Sequence, residues 1–347
     1  MSYLMPAETD PHERIWLAYP VPLKRGESAV EADEARATWA QVANTIVDFE
    51  PVTVVVDPSE ESHARRLLSD AVDLEVHPLD DGWIRDNGPT FVHASDGSVA
   101  AVTWTFNGWG RPAQHPTLYD GVIGHYVAEL AGVPVVESQL VNEGGAIHVD
   151  GGGTMLATRT VQLDPMRNPG ITEEEVEAEF HRTLGATDVV WFNRGLTADY
   201  AINGTKGHVD ICVTMPAHRR ALVHTQHNIE HPDHILSQEF RRTLECHGDV
   251  SGKPWDIIEL PAPKNIIDRH GFNDWSYVNH LVVNGGVIAC RFGDPNDEVA
   301  ADILADAYPD RLVVTVDARP LYDRGGGIHC ITQQQPKPNR SAKCESA

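Results

Sequence analysis

Cys330 closes the run Gly325-Gly326-Gly327-Ile328-His329-Cys330, and two other runs echo it: Glu143-Gly144-Gly145-Ala146-Ile147-His148-Val149-Asp150 and Gly207-His208-Val209-Asp210. A thiol becomes a nucleophile on losing its proton, and a positive neighbour or cationic substrate lowers its pKa from about 8.5. The imidazole of His208 can shuttle protons, and Asp210, two residues on, would share its face on a strand. Asp86 lies in Trp83-Ile84-Arg85-Asp86-Asn87-Gly88-Pro89-Thr90-Phe91-Val92. A carboxylate there suits a guanidinium, whose fork it matches with two parallel hydrogen bonds. On an extended chain Arg85 would face the other way, into a structural ion pair. Trp83 offers a flat wall or a cation–π face, or an ordinary core side chain. Glu143 stands before its glycines where Tyr322-Asp323-Arg324 precede those of Cys330, which makes Glu143 the functional residue of that run and His148 structural. One thiol, one imidazole and three carboxylates suit nucleophilic substitution at the amidine or acyl carbon of a planar cation.

Other chemistries use some of the same residues. A metal hydrolase would take His148-x-Asp150 and His208-x-Asp210 as ligands, but no third ligand has fitting spacing, and with 18 histidines such pairs arise by chance. No C-x-x-C pair occurs, so no metal is expected. The remaining cysteines, Cys212, Cys246, Cys290 and Cys344, read as the small buried or incidental kind. Five widely spaced cysteines fit a reducing cytoplasm better than a disulfide framework.

The formal charge of −24 argues against nucleic acid or an anionic membrane as partner and favours a small cation, unless it serves solubility alone. No apolar run approaches the roughly 20 residues that span a bilayer, and 1–11 is not a targeting segment. The sequence leaves a homodimer open.

These residues need a scaffold that brings distant segments together. Helical periodicity appears over 60–69, 116–131, 232–246 and 297–308. A capping box at Thr172-Glu173-Glu174-Glu175 opens a helix that Gly185 ends. The helix centres step by about 60 residues, with a further helix over 31–48 outside the count. Asp86, His148, His208 and His329 keep that phase, at intervals of 62, 60 and 121 residues. Strands are expected over 52–56, 91–105, 154–163, 188–192, 211–225, 280–290 and 312–316. Five modules of mixed β and α could stand around an axis like blades, each pointing the same position inward; the alternative is the chance spacing of an α/β chain. A single catalytic unit over 1–336 and a polar tail over 337–347 complete the expected organisation.

The runs at 83–92, 143–151 and 207–210, with Arg167-Asn168-Pro169, Ser276-Tyr277-Val278-Asn279 and Gly326-Gly327-Ile328-His329-Cys330-Ile331-Thr332-Gln333-Gln334-Gln335-Pro336, resemble the agmatine deiminase branch of the peptidylarginine deiminase family, within the guanidino-group-modifying (pentein) superfamily. The resemblance covers about residues 14–336. It implies an α/β fold, a five-bladed propeller with pseudo-fivefold symmetry, and no cofactor. It also implies deimination of a small cationic guanidine. Agmatine and water would give N-carbamoylputrescine and ammonia, a step toward putrescine. Cys330 would attack the guanidinium carbon, and Asp86 and Asp210 would clamp its nitrogens. His208 would protonate the leaving ammonia and then activate water, and Glu143 would orient the site. An amidinotransferase shares the covalent step, and a binding protein that has lost catalysis is a further alternative.

One segment departs from the pattern. Gly204 stands where the family has an acidic residue, Lys206 adds a positive charge, and Ile211 replaces the usual Asn. Asp199, nine residues before His208, is expected to take over substrate binding. If it does not, the substrate becomes another guanidine, such as free or peptidyl arginine or a guanidino acid. Lys206 at the mouth would suit a carboxylate-bearing substrate, or would be solvated surface.

Overall fold

The computed structural model describes residues 2–21, 27–111, 113–115, 117–201, 204–247, 254–268 and 271–339. Its repeating unit is an antiparallel strand pair followed, across a helix, by a third strand parallel to the second. Thr90–Ala94 pairs with Val99–Thr105, and the chain returns through Ile123–Ala131 to Val135–Val141. Ile147–Val149 and Thr154–Thr158 are followed by helix Glu173–Leu184 and Asp188–Phe192. Val213–Ala217 and Arg220–Thr225 precede helix Asp233–Cys246 and Asp256–Pro261. Leu281–Val283 and Gly286–Arg291 precede helix Asp297–Ala307 and Leu312–Asp317. The helix is what lets a parallel neighbour form, since a tight turn can join only antiparallel strands.

The remaining unit is shared by the two ends of the described chain. Thr332–Pro336 pairs antiparallel with His12–Ala18, and Val52–Val56 returns parallel to it after helix Ala29–Ile46. Helix Glu61–Leu67 and strand Asp73–Val76 extend that sheet to four strands. Tyr3–Leu4 adds to the edge of Thr90–Ala94, and Ile267–Asp268 forms a small ribbon with Gly271–Phe272. Among the described residues there are thus five mixed sheets of three or four strands and one ribbon.

This topology corrects the helix count. Helix Ala29–Ile46, set outside the period, is the equivalent of the other four crossover helices, and Glu61–Leu67 belongs to an added strand. The helix buries Ala32, Ala35, Trp39, Val42, Ala43 and Ile46, one stripe at helical spacing, under a capping box at Ser28 and Glu31. Each large apolar side chain so buried contributes about 1.5–3 kcal/mol.

Other boundaries also move. The stretch 91–105 is a hairpin turning at Gly97, and the strand expected through 163 gives way to helix Arg159–Gln162. The helix expected from 116 begins at Ile123; residue 116 lies outside the described residues. The capping box at Thr172 forms, with Glu175 N donating to Thr172 Oγ1 at 3.3 Å, and Gly185 ends the helix at φ +70°. Of the expected tail, 337–339 lies against the fold, with Lys337 N donating to Pro11 O at 2.9 Å. Cys344 and the rest of the tail lie outside the described residues. Among the described residues no helix is long and apolar enough to cross a membrane.

For the chemistry, the topology has one consequence. Asp86, Glu143, Asp210, Asn279 and Cys330 each precede the first strand of an antiparallel pair, by two to four residues.

Candidate active site

Asp86 sits on the helical turn Ile84–Asn87, which Gly88 and Pro89 end. This is not the extended chain expected there, yet Arg85 and Asp86 still diverge. Arg85 runs into the interior, where Nη2 donates to Gln334 Oε1 at 2.7 Å and Nη1 lies 3.7 Å from Glu8 Oε1. Asp86 accepts from Trp109 Nε1 at 2.8 Å and from Gly145 N at 3.1 Å.

His208 and Asp210 are not on a strand either. A 3-10 turn, Val209–Ile211, carries the chain between them, and both side chains still reach the same centre. His208 Nε2 lies 3.2 Å from Glu143 Oε2, and Nδ1 lies 3.6 Å from Asp86 Oδ1. Asp210 Oδ2 is 2.8 Å from His329 Nδ1 and 3.5 Å from Cys330 Sγ. Glu143 is fully buried, and Arg167 Nε donates to both of its oxygens, at 2.9 and 3.1 Å.

Gly145 marks where these groups converge. A Cβ on Gly145 would stand 2.6 Å from His208 Nδ1, 2.9 Å from Asp86 Oδ1 and 3.0 Å from Asp210 Oδ2. Gly326 plays the same part for the thiol, since its Cβ would lie 2.9 Å from the Trp83 ring and 3.0 Å from Cys330 Sγ. The narrow cavity above is lined by Trp83, Asp86, Trp109, His115, Thr205, Arg324, Gly325 and Cys330. Two buried polar atoms of this cluster, His208 Nδ1 and Asp210 Oδ1, have no hydrogen-bond partner.

The charges are interdependent. Burial, with Asp210 and Glu143 nearby, raises Asp86 to about 6 against the pull of His208. Burial opposes the charge of Glu143, but Arg167 and His208 hold it down at about 2. Burial works against an imidazolium at His208, but Asp86, Glu143 and Asp210 outweigh it and raise the ring to about 9. Burial would raise Asp210, yet the bond and charge of His329, with His208 and Arg85, hold it below the usual carboxylate range. Burial, then Asp210 and Asp86, push the Cys330 thiol well above its ordinary value.

Of the residues singled out from the sequence, Cys330, His208, Asp86, Asp210, Glu143 and Trp83 lie within this one site. Asp199 does not present its carboxylate to the cavity as expected. Its oxygens accept from Thr205 N, Thr205 Oγ1 and Gly207 N, each at 2.6 Å, and from His208 N at 3.1 Å, so it holds the loop that carries His208. Gly204 is required by the same loop path, since a Cβ there would lie 1.9 Å from Asp199 O. Lys206 is neither solvated surface nor a free cation at the mouth. Its Nζ donates to Asp164 Oδ2 at 2.7 Å, beside Arg167 on the same carboxylate. His148 is tied to the scaffold by Met215 N at 2.9 Å and Thr214 Oγ1 at 3.1 Å, and Asp150 accepts from Gly152 N and Thr154 N. Among the described residues no three His, Cys, Asp or Glu side chains are grouped as a metal would need.

Asn279, Trp109, Arg167, His329 and Glu8 join the site without having been singled out as its residues from the sequence. Asn279 Nδ2 donates to Asp210 Oδ2 at 3.1 Å and lies 3.3 Å from Cys330 Sγ. Its place just before a first strand, matching the other four, is the signal that would have found it.

The family model of the Porphyromonas-type peptidyl-arginine deiminases matches residues 4–336. A Streptomyces coelicolor protein, provisionally named an agmatine deiminase, is 50% identical over 338 residues, which are 97% of this chain and 100% of the relative. The agmatine deiminase of Ectopseudomonas mendocina is 36% identical, over 97% of this chain and 96% of that one. Among solved structures, an agmatine deiminase of Enterococcus faecalis superposes with a TM-score of 0.91 at 28% identity, covering 97% of each chain.

Proposed function

The chain belongs to the Porphyromonas-type peptidyl-arginine deiminase family, and from that premise we propose that it hydrolyses agmatine to N-carbamoylputrescine and ammonia through a covalent intermediate on Cys330. The observation that carries this reading is the convergence on Gly145 of an imidazole and two carboxylates, with the thiol 3.5 Å from one of them. In the same reading the five sheets stand as blades about a common axis, and each unit turns one strand-entry residue toward it. The product lies on a route from arginine to putrescine, so the enzyme would serve polyamine synthesis.

The reaction follows from the charges. The guanidinium lies between Asp86 and Asp210, which hydrogen-bond its nitrogens and keep it cationic, hence electrophilic. Its charge offsets the two carboxylates that oppose ionisation of the thiol, so binding favours the thiolate, the thiol proton passing to solvent. Sulfur then forms a bond to the guanidinium carbon. His208, protonated in the resting site, gives its proton to the departing nitrogen, and ammonia leaves as the carbon–nitrogen bond breaks. The neutral imidazole takes a proton from water, whose oxygen attacks the S-alkylthiouronium carbon. The carbon–sulfur bond breaks as the new hydroxyl gives up its proton, which returns to the sulfur, leaving the resting thiol and the ureido product. Glu143, fixed by Arg167, holds the ring through both halves.

The substrate's tail is supported by the relatives' names and by the pairing of Lys206 with Asp164, which leaves that ammonium poorly placed to hold a substrate carboxylate. Ammonia release from agmatine, free arginine, a peptidyl arginine and a guanidino acid, with Cys330→Ala as control, tests the reading. Agmatine is expected to be consumed far faster than the rest. Preference for another guanidine, lost in Cys330→Ala, would keep the chemistry and replace the substrate. A requirement for an amine acceptor would make the protein an amidinotransferase.

A further inference from the structure

His329 stands beside the nucleophile in sequence but does not face the cavity. Its ring is buried between two carboxylates far apart in the chain, with Nδ1 2.8 Å from Asp210 Oδ2 and Nε2 2.8 Å from Glu8 Oε1. A ring with an acceptor on each nitrogen can satisfy both only by donating from both, which is the imidazolium form. Around it, His329 O accepts from Arg85 Nε at 3.3 Å, His329 N donates to Asn279 Oδ1 at 3.1 Å, and the His148 ring lies 3.7 Å from Glu8. Glu8 thus faces three basic groups, His329, Arg85 and His148, and supplies the negative charge that lets them be buried together.

The effect is felt at Asp210. Its Oδ2 is occupied by His329, Asn279 and the thiol, while its Oδ1 is buried without a partner. A carboxylate pinned through one oxygen in this way cannot rotate to exchange the two, so the other is held in one place, buried and without a partner.

We propose that His329, held by Glu8, is a positioning residue that fixes the Asp210 carboxylate so that Oδ1 remains available to the substrate. The proposal rests on the deimination reading above and adds to it a role for two residues that touch no substrate.

Two neutral amides separate positioning from bulk. An Asn side chain places its amide near the position of Nδ1 and can still donate to Asp210, whereas a Gln places it near Nε2 and reaches only Glu8. Both variants lose the charge, and Asn is the smaller by one methylene, so bulk alone would make His329→Asn the more damaged of the two, the reverse of what positioning predicts. Steady-state kinetics with agmatine are measured for wild type, His329→Asn, His329→Gln and Glu8→Gln, with unfolding curves to confirm that each is folded. His329→Gln is expected to raise KM roughly ten- to hundredfold over His329→Asn, as expected for a lost hydrogen bond to a charged group. Glu8→Gln, which keeps an acceptor for the ring but removes the charge, is expected to fall between wild type and His329→Gln. Equal KM in the two His329 variants, or wild-type KM in Glu8→Gln with His329→Gln also unaffected, overturns the positioning role while wild-type turnover keeps the deimination reading. A wild-type protein inert toward agmatine overturns that reading instead, and the positioning role with it.

Discussion

Cys330 Sγ lies 3.5 Å from Asp210 Oδ2, so the carboxylate that would bind a guanidinium also opposes ionisation of the nucleophile. Burial, Asp210 and Asp86 all favour the thiol in the resting site. The free protein should therefore show no thiolate absorbance from Cys330 at neutral pH, measured as the difference from Cys330→Ala. A non-hydrolysable amidine should make it appear. A thiolate already present in the free protein would mean that the cation is not what ionises the sulfur.

His208 is raised to about 9 in the fold, above its ordinary value near 6.5, so its stabilising effect is complete below about 6.5 and is lost as pH rises through about 9. The acid form also serves ammonia departure, so kcat/KM should fall over that same alkaline range. Glu143→Gln removes one of the charges sustaining the proton, and its alkaline limb should move toward neutral pH. An unmoved limb would place the titration on another group. His208→Ala should cost about 10²–10⁴-fold in kcat.

Arg167 and Glu143 form a pair with both side chains fully buried. Arg167→Leu leaves the carboxylate with only His208 and should cost about 3–5 kcal/mol of stability in denaturant unfolding, as for other broken buried pairs. Adding Glu143→Gln should recover part of that loss without restoring activity. Equal stability of the single variant and wild type would contradict the pairing.

Gly145→Ala puts a methyl among His208, Asp86 and Asp210 at 2.6–3.0 Å. It should abolish agmatine turnover, while Gly152→Ala, whose Cβ would meet nothing nearer than 3.5 Å, should leave turnover near wild type. An active Gly145→Ala enzyme would mean that the reacting carbon lies elsewhere.

The elements that sequence reveals best are those with local chemistry. Thr172 and Glu175 announce a helix start and Gly185 its end, because capping is decided within a few residues. The recurrence of Asp86, His208 and His329 follows from each lying shortly before a first strand, whereas His148, which keeps the same spacing, lies within one. The period is hidden at its start, where the equivalent unit is completed by Thr332–Pro336 pairing with His12–Ala18, a contact no local pattern can announce. The pairing of Glu8 with His329 is hidden for the same reason, the two being 321 residues apart in the chain. In the loop at 199–208 the sequence points to Asp199 as a substrate contact, whereas Gly204 is small because the turn closes on Asp199 O, and the Asp199 carboxylate accepts from four donors of that turn.

The most direct measurement is the intact mass of the wild-type protein, acid-quenched at short times during agmatine turnover, followed by peptide mapping. An adduct weighing agmatine less ammonia, carried on Cys330, is the expected result. Product formed with no adduct at any time, or an adduct on another residue, would contradict covalent deimination at Cys330.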